Sequence, residues 1–150
     1  MRTIKVGKGT SYDFNNINEA INSTEYDVPV KLLIAEGVYE EKIFCEKKQI
    51  ELVGEGTDKT IIKWHDGAYE LLEYGEKRGT FRSYTAFLSA ENLVVKNLSF
   101  VNEAGDGRVA GQSVALYSDA DVAYFENVCF DSHQDTLFLS PLPETERQKN

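Results

Sequence analysis

The segment 91–100 reads ENLVVKNLSF, and the segment 121–130 reads DVAYFENVCF. A shift of 30 residues superposes identical or similar side chains: Asn97 on Asn127, Leu98 on Val128 and Phe100 on Phe130. A self-similar unit of this length, made of short strands and turns, is typical of a solenoid, in which each coil stacks its apolar residues on the previous coil. The repeated asparagines are expected at turns. A β-sandwich is the competing interpretation of the pattern.

The rest of the chain also predicts a β protein, with one helix near its start. Short runs rich in Val, Ile, Leu and Phe read as strands, at 30–35, 42–45, 49–53, 60–64, 84–89, 93–100, 113–117, 122–130 and 136–139. The run 114–117 echoes 86–89 at a shift of 28 residues. Apolar spacing predicts a helix over 14–21, capped by Asp13 or Asn15. We predict an all-β parallel β-helix with this short helix covering its N-terminal end.

Composition limits the classes of partner. The 150 residues suit one domain, and the formal net charge of −9, without a basic stripe, argues against nucleic acid. No apolar run approaches the ~18 residues of a membrane span. Met1–Gly9 lacks the apolar segment of a signal peptide, which predicts a cytoplasmic protein as written, or a secreted one if the natural N-terminus lies upstream. Cys45 and Cys129 are expected to be buried free thiols.

One candidate for acid–base chemistry stands at the start of the last predicted strand. Asp135 follows Gln134 directly and precedes an apolar run. A carboxyl group beside an amide suits a general acid whose proton the amide helps to position. A turn aspartate that caps the strand is the plainer interpretation.

A serine hydrolase is the second chemical hypothesis. Ser113 with His133 and Asp135 has the residue types of a triad. However, the nucleophile elbow Gly-x-Ser-x-Gly has Ala115 at its second glycine position, and a strand follows where a helix is required. Ser113 is therefore interpreted as a small strand residue.

Aromatic side chains gather in the glycine-containing region 66–83 and at its border, where Tyr69, Tyr74, Phe81 and Tyr84 occur. Exposed rings there suit stacking on the apolar face of sugars. Anchoring of the loop to the core is an equal alternative.

Taken together, these segments resemble the pectinesterase family. The resemblance lies in an ordered set of motifs along nearly the whole chain: Val6–Phe14 with Ile17 and Ala20-Ile21, Ile34–Glu41 with its Gly-x-Tyr-x-Glu element, Ile50–Gly56, Gly79–Ser83, Asn97–Gly105, Gly111–Leu116 and Gln134–Phe138. Each motif is weak alone, but their order and spacing together are specific.

The resemblance implies a right-handed parallel β-helix and the hydrolysis of galacturonate methyl esters in pectin, with two aspartates and no metal or other cofactor. Asp135 matches the aspartate that protonates the departing methanol and later activates water. Gln112 and Gln134 match the glutamines that stabilise the oxyanion, as amide donors do. Thr80 and Phe81 match a substrate-contacting segment.

The chain departs from the family pattern beyond Leu139. The family's nucleophilic aspartate, in Asp-Phe-Ile-Phe-Gly, and its orienting arginine, in Gly-Arg-Pro-Trp, do not occur in these residues. We expect residues 1–150 to be the N-terminal part of one pectinesterase domain, truncated at the C-terminal end and inactive alone for want of a nucleophile. A non-catalytic carbohydrate-binding β-helix is the alternative function. A polysaccharide lyase or hydrolase on the same fold is a third, disfavoured by the glutamine–aspartate pair.

The expected partner is pectin or a methylated oligogalacturonide, with neither nucleic acid nor membrane. The last coil would present an unpaired strand edge and uncovered apolar side chains, followed by the Pro-rich, charged tail 140–150. Such edges favour association. We therefore also expect self-association through the exposed C-terminal coil.

Overall fold

The structure is a computed structural model that describes residues 1–145. In chain order its elements are β1 (Arg2–Val6), α1 (Ile17–Asn22), β2 (Val30–Ile34), β3 (Gly37–Glu40), β4 (Ile43–Val53), β5 (Thr60–Trp64), a 3₁₀ turn (Thr80–Arg82), β6 (Ala86–Asn102), α2 (Gly107–Ala110), β7 (Leu116–Asp131) and β8 (Leu137–Ser140). All the strands pair in parallel. Because neighbouring strands are parallel and no long helix connects them within residues 1–145, the chain must wind in coils that stack on one another.

The long strands bend, so that each contributes to more than one face of the coil. Face A consists of 43–47, 86–90, 116–120 and 137–140. Face B consists of 2–6, 30–34, 49–53, 92–96 and 122–126. Face C consists of 37–40, 60–64, 98–102 and 128–131. The three stacked faces make a parallel β-helix, as the sequence repeat predicts.

The 30-residue repeat corresponds to one coil. Leu98 pairs with Val128 in the β6–β7 register, and Ala86 pairs with Leu116 at the same shift. The 28-residue shift predicted for 114–117 against 86–89 is therefore wrong, because β6 and β7 keep a shift of 30 throughout their pairing. The interior is filled by stacked aliphatic and aromatic side chains, among them Ile43, Ile50, Leu52, Leu88, Leu93 and Phe100.

The repeated asparagines form the turn between faces B and C. Asn97 and Asn127 have φ of 57° and 52°, the left-handed conformation that asparagine tolerates better than most residues. The Nδ2 group of Asn127 donates to Oδ1 of Asn97 at 3.0 Å. Each asparagine thus supplies a backbone bend, and one bond between the two side chains joins the two coils.

Helix α1 is shorter than the sequence predicts. It begins at Ile17, with Asn16 as N-cap through a bond from the Glu19 amide at 2.8 Å. Neither Asp13 nor Asn15 caps it, because the Asp13 carboxylate instead accepts from the Lys5 amide at 2.8 Å. The helix buries Ile17, Ala20 and Ile21 in the common core.

The structure corrects the strand and cysteine predictions in part. The strands β1 and β3 were not predicted, and the separate runs 42–45 and 49–53 belong to one bent strand. Both cysteines are free, and Cys45 is buried, but Cys129 is exposed. Alternation explains the difference, since Val128 and Phe130 on either side of Cys129 pack against the core.

The last coil is open on one side. Within residues 1–145, the part of β7 from 122 to 131 pairs only with β6. Several of its apolar side chains and those of β8 are exposed, namely Val122, Tyr124, Leu137 and Leu139. The tail predicted over 140–150 lies partly outside the described residues. In the part of the chain that the structure covers, the two helices are too short to cross a bilayer.

Candidate active site

The site residues predicted from sequence lie in successive coils where the chain enters face A. Ser113, which follows Gln112, donates its backbone N–H to the carbonyl of Gln134 at 3.0 Å. Gln112 and Gln134 are thus neighbours across one coil although 22 residues separate them. Gln112 is half-buried, whereas Gln134 and Asp135 are exposed.

Asp135 lies at a strained turn. Its φ of 54° makes it one of three non-glycine residues in the described chain with positive φ. The next residue, Thr136, accepts backbone bonds from Ala115 and Leu116 through its carbonyl, at 2.8 and 3.2 Å. Both flanks of Asp135 are thereby fixed to the preceding coil, and Asp135 itself is exposed to solvent.

A short helix holds the Gln112 side of the site. Asp106 caps α2 through a bond from the Arg108 amide at 2.9 Å, and its carboxylate also pairs with the Arg108 guanidinium at 2.6 Å. The helix ends at Gly111, whose φ of 74° favours glycine. A Cβ there would also lie 2.7 Å from the Tyr69 ring. The backbone just before Gln112 is thus pressed against the loop that carries Tyr69.

An ion-pair cluster anchors that loop, which runs from Asp66 to Ser83. The Asp66 carboxylate is buried and contacts Lys42 Nζ at 2.5 Å and the Arg78 guanidinium at 3.2 Å. Lys42 also donates to the carbonyl of Arg82 at 2.5 Å. Burial lowers the pKa of Lys42, and the hydrogen bond that Lys42 donates to Asp66 opposes that shift. The cluster ties both ends of the loop to the start of face A.

The amide of Asn102 joins three segments beneath the site. Its Nδ2 group lies 2.9 Å from the carbonyl of Asp66, 2.8 Å from that of Ser83 and 3.1 Å from that of Val114. Its Oδ1 accepts from the Ala104 amide at 2.9 Å. Asn102 is almost fully buried. This one side chain therefore fixes the ends of the loop relative to the strand that follows Gln112.

A column of aromatic rings crosses face A beside the site. Phe44, Phe87, Tyr117 and Phe138 occupy matching positions in four successive coils. Their ring centroids are 5.0, 4.8 and 4.8 Å apart in that order. Ile43 and Cys45, on either side of Phe44, are fully buried. Alternation along a strand therefore directs the column outward.

The predicted substrate segment lies against this column. The Phe81 ring meets the Phe138 ring edge-on at 5.1 Å and the Tyr117 ring at 6.3 Å, yet 60% of the Phe81 residue is exposed. Thr80, its neighbour in the 3₁₀ turn, is half-buried. Tyr84 packs on Phe87 at 5.5 Å, and burial raises its pKa. Phe81 thus presents a ring face to solvent next to the strand that follows Asp135.

The structure excludes the serine triad. Ser113 is fully buried, and its hydroxyl group bonds to that of Ser132 at 2.7 Å. A nucleophile must be presented to substrate, but this hydroxyl group joins two adjacent coils. Ser113 is a structural residue, but it lies in the segment before β7 and not in a strand as predicted.

Sequence reasoning missed most of the aromatic column. Phe138 lies in a motif of the resemblance, whereas Phe87 and Tyr117 lie in the runs 86–89 and 114–117, which the 28-residue shift aligned wrongly. Phe87 and Tyr117 are separated by 30 residues, so the repeat period that aligns Leu98 with Val128 also aligns these two rings. The 30-residue repeat, applied to every aromatic position, would have predicted that these two rings stack.

Comparison with known proteins agrees with this architecture. The pectinesterase family model matches residues 3–148. The chain is 34% identical to probable pectinesterase/pectinesterase inhibitor 23 of Arabidopsis thaliana over 84% of its length, but covers 22% of that protein. It is 27% identical to pectinesterase 31 of the same plant over 92% of its length, which is 45% of the relative.

Solved structures show the same fold. Pectin methylesterase PemA from Erwinia chrysanthemi superposes with a TM-score of 0.83 at 30% identity, over 94% of this chain and 46% of that one. A pectin methylesterase in complex with a hexasaccharide matches with a TM-score of 0.83 at 28% identity, over 93% of this chain and 46% of that one. The chain thus spans less than half the length of these relatives. It folds as a right-handed parallel β-helix, and it belongs to the pectinesterase family.

Proposed function

We propose that this chain binds methyl-esterified galacturonan across face A and contributes the general acid and two amide donors of a pectin methylesterase site. The observation that carries the proposal is the meeting of Gln112 and Gln134 across one coil, with Asp135 next to them on the solvent side. Phe81, which packs on the aromatic column beside these groups and is 60% exposed, supplies an apolar ring face of the kind that sugars stack on.

The chemistry assigns a distinct task to each residue. Attack of a nucleophile on the ester carbonyl places negative charge on the carbonyl oxygen, and the neutral amides of Gln112 and Gln134 donate hydrogen bonds to it. When the intermediate collapses, the carboxyl group of Asp135 gives its proton to the departing methoxide, which leaves as methanol. The resulting carboxylate then takes a proton from the water that hydrolyses the acyl intermediate. No residue of this chain is assigned as the nucleophile.

The substrate is proposed to be a polymer and not a small ester. Face A extends over four coils, and neighbouring parallel strands lie about 4.8 Å apart, so this face spans roughly 15 Å. Such a length accommodates several sugar units. A hexasaccharide is the ligand in the solved pectin methylesterase complex that resembles this chain.

A non-catalytic carbohydrate-binding role is the second candidate. It is favoured by the same aromatic surface, which is complete within the described residues and needs no nucleophile. The two candidates share the ligand and differ in methanol release.

We also propose that the open coil makes the isolated chain associate with itself. The edge of β7 from 122 to 131 lacks an outer strand within residues 1–145, and Val122 and Tyr124 are 60% and 51% exposed. Unpaired edges with apolar side chains favour pairing with another chain. Sedimentation analysis over a range of concentrations should detect dimers or larger species, and a monomer at all concentrations would contradict this proposal.

Methanol release from methylated pectin tests the proposed function. The assay compares the 150-residue chain with a version extended by the corresponding later coils of a solved pectin methylesterase. The extended version should release methanol and the 150-residue chain should not, and Asp135→Asn should lower release by the extended version at least 100-fold. Equal release by the D135N variant would remove Asp135 from the mechanism. Equal release by the short and extended versions would mean that this chain contains the nucleophile.

A further inference from the structure

Gly107, the first residue of α2, lies in close contact with the Gln134 side chain. A Cβ atom added to Gly107 would lie 2.5 Å from Oε1 of Gln134, 3.5 Å from its Cβ and 3.6 Å from its Cδ. Real Cβ atoms essentially never approach another heavy atom as closely as 2.5 Å. The amide of Gln134 thus occupies space that only a glycine at position 107 leaves open.

The backbone on both sides of this contact is fixed. Asp106 caps α2 with its side chain and accepts from the Val109 and Ala110 amides through its carbonyl, at 2.9 Å each. Gln134 is held by the bond from the Ser113 amide to its own carbonyl at 3.0 Å. An added methyl group therefore cannot be accommodated by a shift of the helix alone. The most mobile part of the contact is the end of the Gln134 side chain.

The usual reasons for a glycine do not apply at position 107. Its φ lies outside the left-handed range that glycine favours, in contrast to Gly105 and Gly111. Alanine is a better helix former than glycine, by up to about 1 kcal/mol in a helix interior. Neither the backbone conformation nor helix propensity requires a glycine here, whereas the contact with Gln134 does.

We infer that Gly107 is a positioning residue that sets where the Gln134 amide lies. The Oε1 atom faces Gly107 across the contact, so the amide nitrogen lies farther from α2, as a donor to bound substrate requires. Gln112 follows α2 by two residues, and therefore the same short helix also sets the start of the segment that carries the second amide. This inference rests on the proposed use of Gln134 as a donor, and it adds a residue outside every motif of the resemblance.

The substitution Gly107→Ala separates positioning from stability. We expect G107A to leave the melting temperature unchanged or slightly raised, while the Gln134 side-chain amide resonance moves in the ¹⁵N–¹H spectrum of the 150-residue chain. Affinity for a methyl-esterified hexagalacturonate should fall roughly three- to tenfold, the effect of losing about one hydrogen bond. The matched control is Val109→Ala, because Val109 is 79% exposed on the same helix.

A double-mutant cycle makes the test specific. In the Gln134→Ala background there is no amide to displace, so G107A should cause no further loss of affinity. An equal loss with and without Gln134 would overturn the inference, as would an unmoved Gln134 resonance in G107A. If the unaltered chain binds no methylated hexagalacturonate, the proposed function fails, and the resonance shift alone then decides the inference.

Discussion

Removal of the Phe81 ring should weaken ligand binding about tenfold while the chain still folds. A Phe residue buries about 150–250 Å² when it is fully covered. With 60% of Phe81 exposed, roughly 120 Å² is free, and a sugar stacked on one ring face covers about half of that. At ~25 cal/mol per Å², this area corresponds to ~1.5 kcal/mol, or about a tenfold loss of affinity in Phe81→Ala.

The fold should tolerate this change. Phe81 makes two edge contacts, with Phe138 and Tyr117, and each aromatic pair contributes about 0.5–1.5 kcal/mol. The 3₁₀ turn keeps its other attachments, because Ser83 donates its hydroxyl group to the carbonyl of Thr80 at 2.7 Å. Together the two pairs contribute about 1–3 kcal/mol, so the melting temperature should fall by roughly 2–12 °C.

Calorimetric titration with methyl-esterified hexagalacturonate measures the effect. Tyr124→Ala is the matched control, since Tyr124 is 51% exposed but lies on face B. F81A should bind about tenfold more weakly, and Y124A should bind like the unaltered chain. Equal affinities for F81A and the unaltered chain would refute the placement of sugars on this ring.

Two further predictions concern stability. Asn102→Ala should lower the free energy of unfolding by ~3 kcal/mol in urea, because the carbonyls of Asp66 and Ser83 lose the bond from the buried amide and the Val114 carbonyl is left with the bond from the Thr85 amide. The exposed control Asn92→Ala should stay within about 0.5 kcal/mol. A loss in N102A no larger than in N92A would contradict the joining role of this amide. Burial raises the pKa of Cys45 to about 12, from 9.0. The folded chain therefore holds this proton when the unfolded chain has lost it, so the contribution of Cys45 is constant below pH 9 and decreases above it. Relative to Cys45→Ala, the unaltered chain should lose ~1.4 kcal/mol of unfolding free energy between pH 7 and pH 10, and a difference independent of pH would contradict the burial of this thiol.

The repeat made the fold predictable because, in a solenoid, residues that stack in successive coils recur at a fixed spacing in the sequence. Leu98 and Val128 carry that register, and the motif spacing predicted that Gln112 and Gln134 meet across a coil. The motifs did not reveal the buried contacts between loops. Asn102 lies within a quoted motif, but its bonds to Asp66, Ser83 and Val114 depend on how the loops fold back over face A. The close contact of Gly107 with Gln134 is equally invisible in the sequence, because the length of a loop does not specify its path.

The predictions of the α1 cap and of a buried Cys129 were wrong for local reasons. Asp13, Asn15 and Asn16 are all acceptable N-caps by residue type. The Asp13 carboxylate instead accepts from the Lys5 amide, and the first helical amides donate to the Glu41 carboxylate, which fixes the helix start beside Asn16. Cys129 lies in an alternating strand, where one side chain in two faces outward. Composition and spacing cannot show which of the two alternating sets of side chains faces outward, because that depends on the neighbouring coil.

The central claim is that face A binds methyl-esterified galacturonan at the amides and the carboxyl group. The most direct test is an NMR titration of the 150-residue chain with methyl-esterified hexagalacturonate. The account predicts saturable shifts at the side-chain amides of Gln112 and Gln134 and at the backbone of Asp135 and Phe138. Shifts confined to the 250 Å³ cavity on face B, which Tyr12 and Leu33 line, would contradict it, as would the absence of any saturable shift.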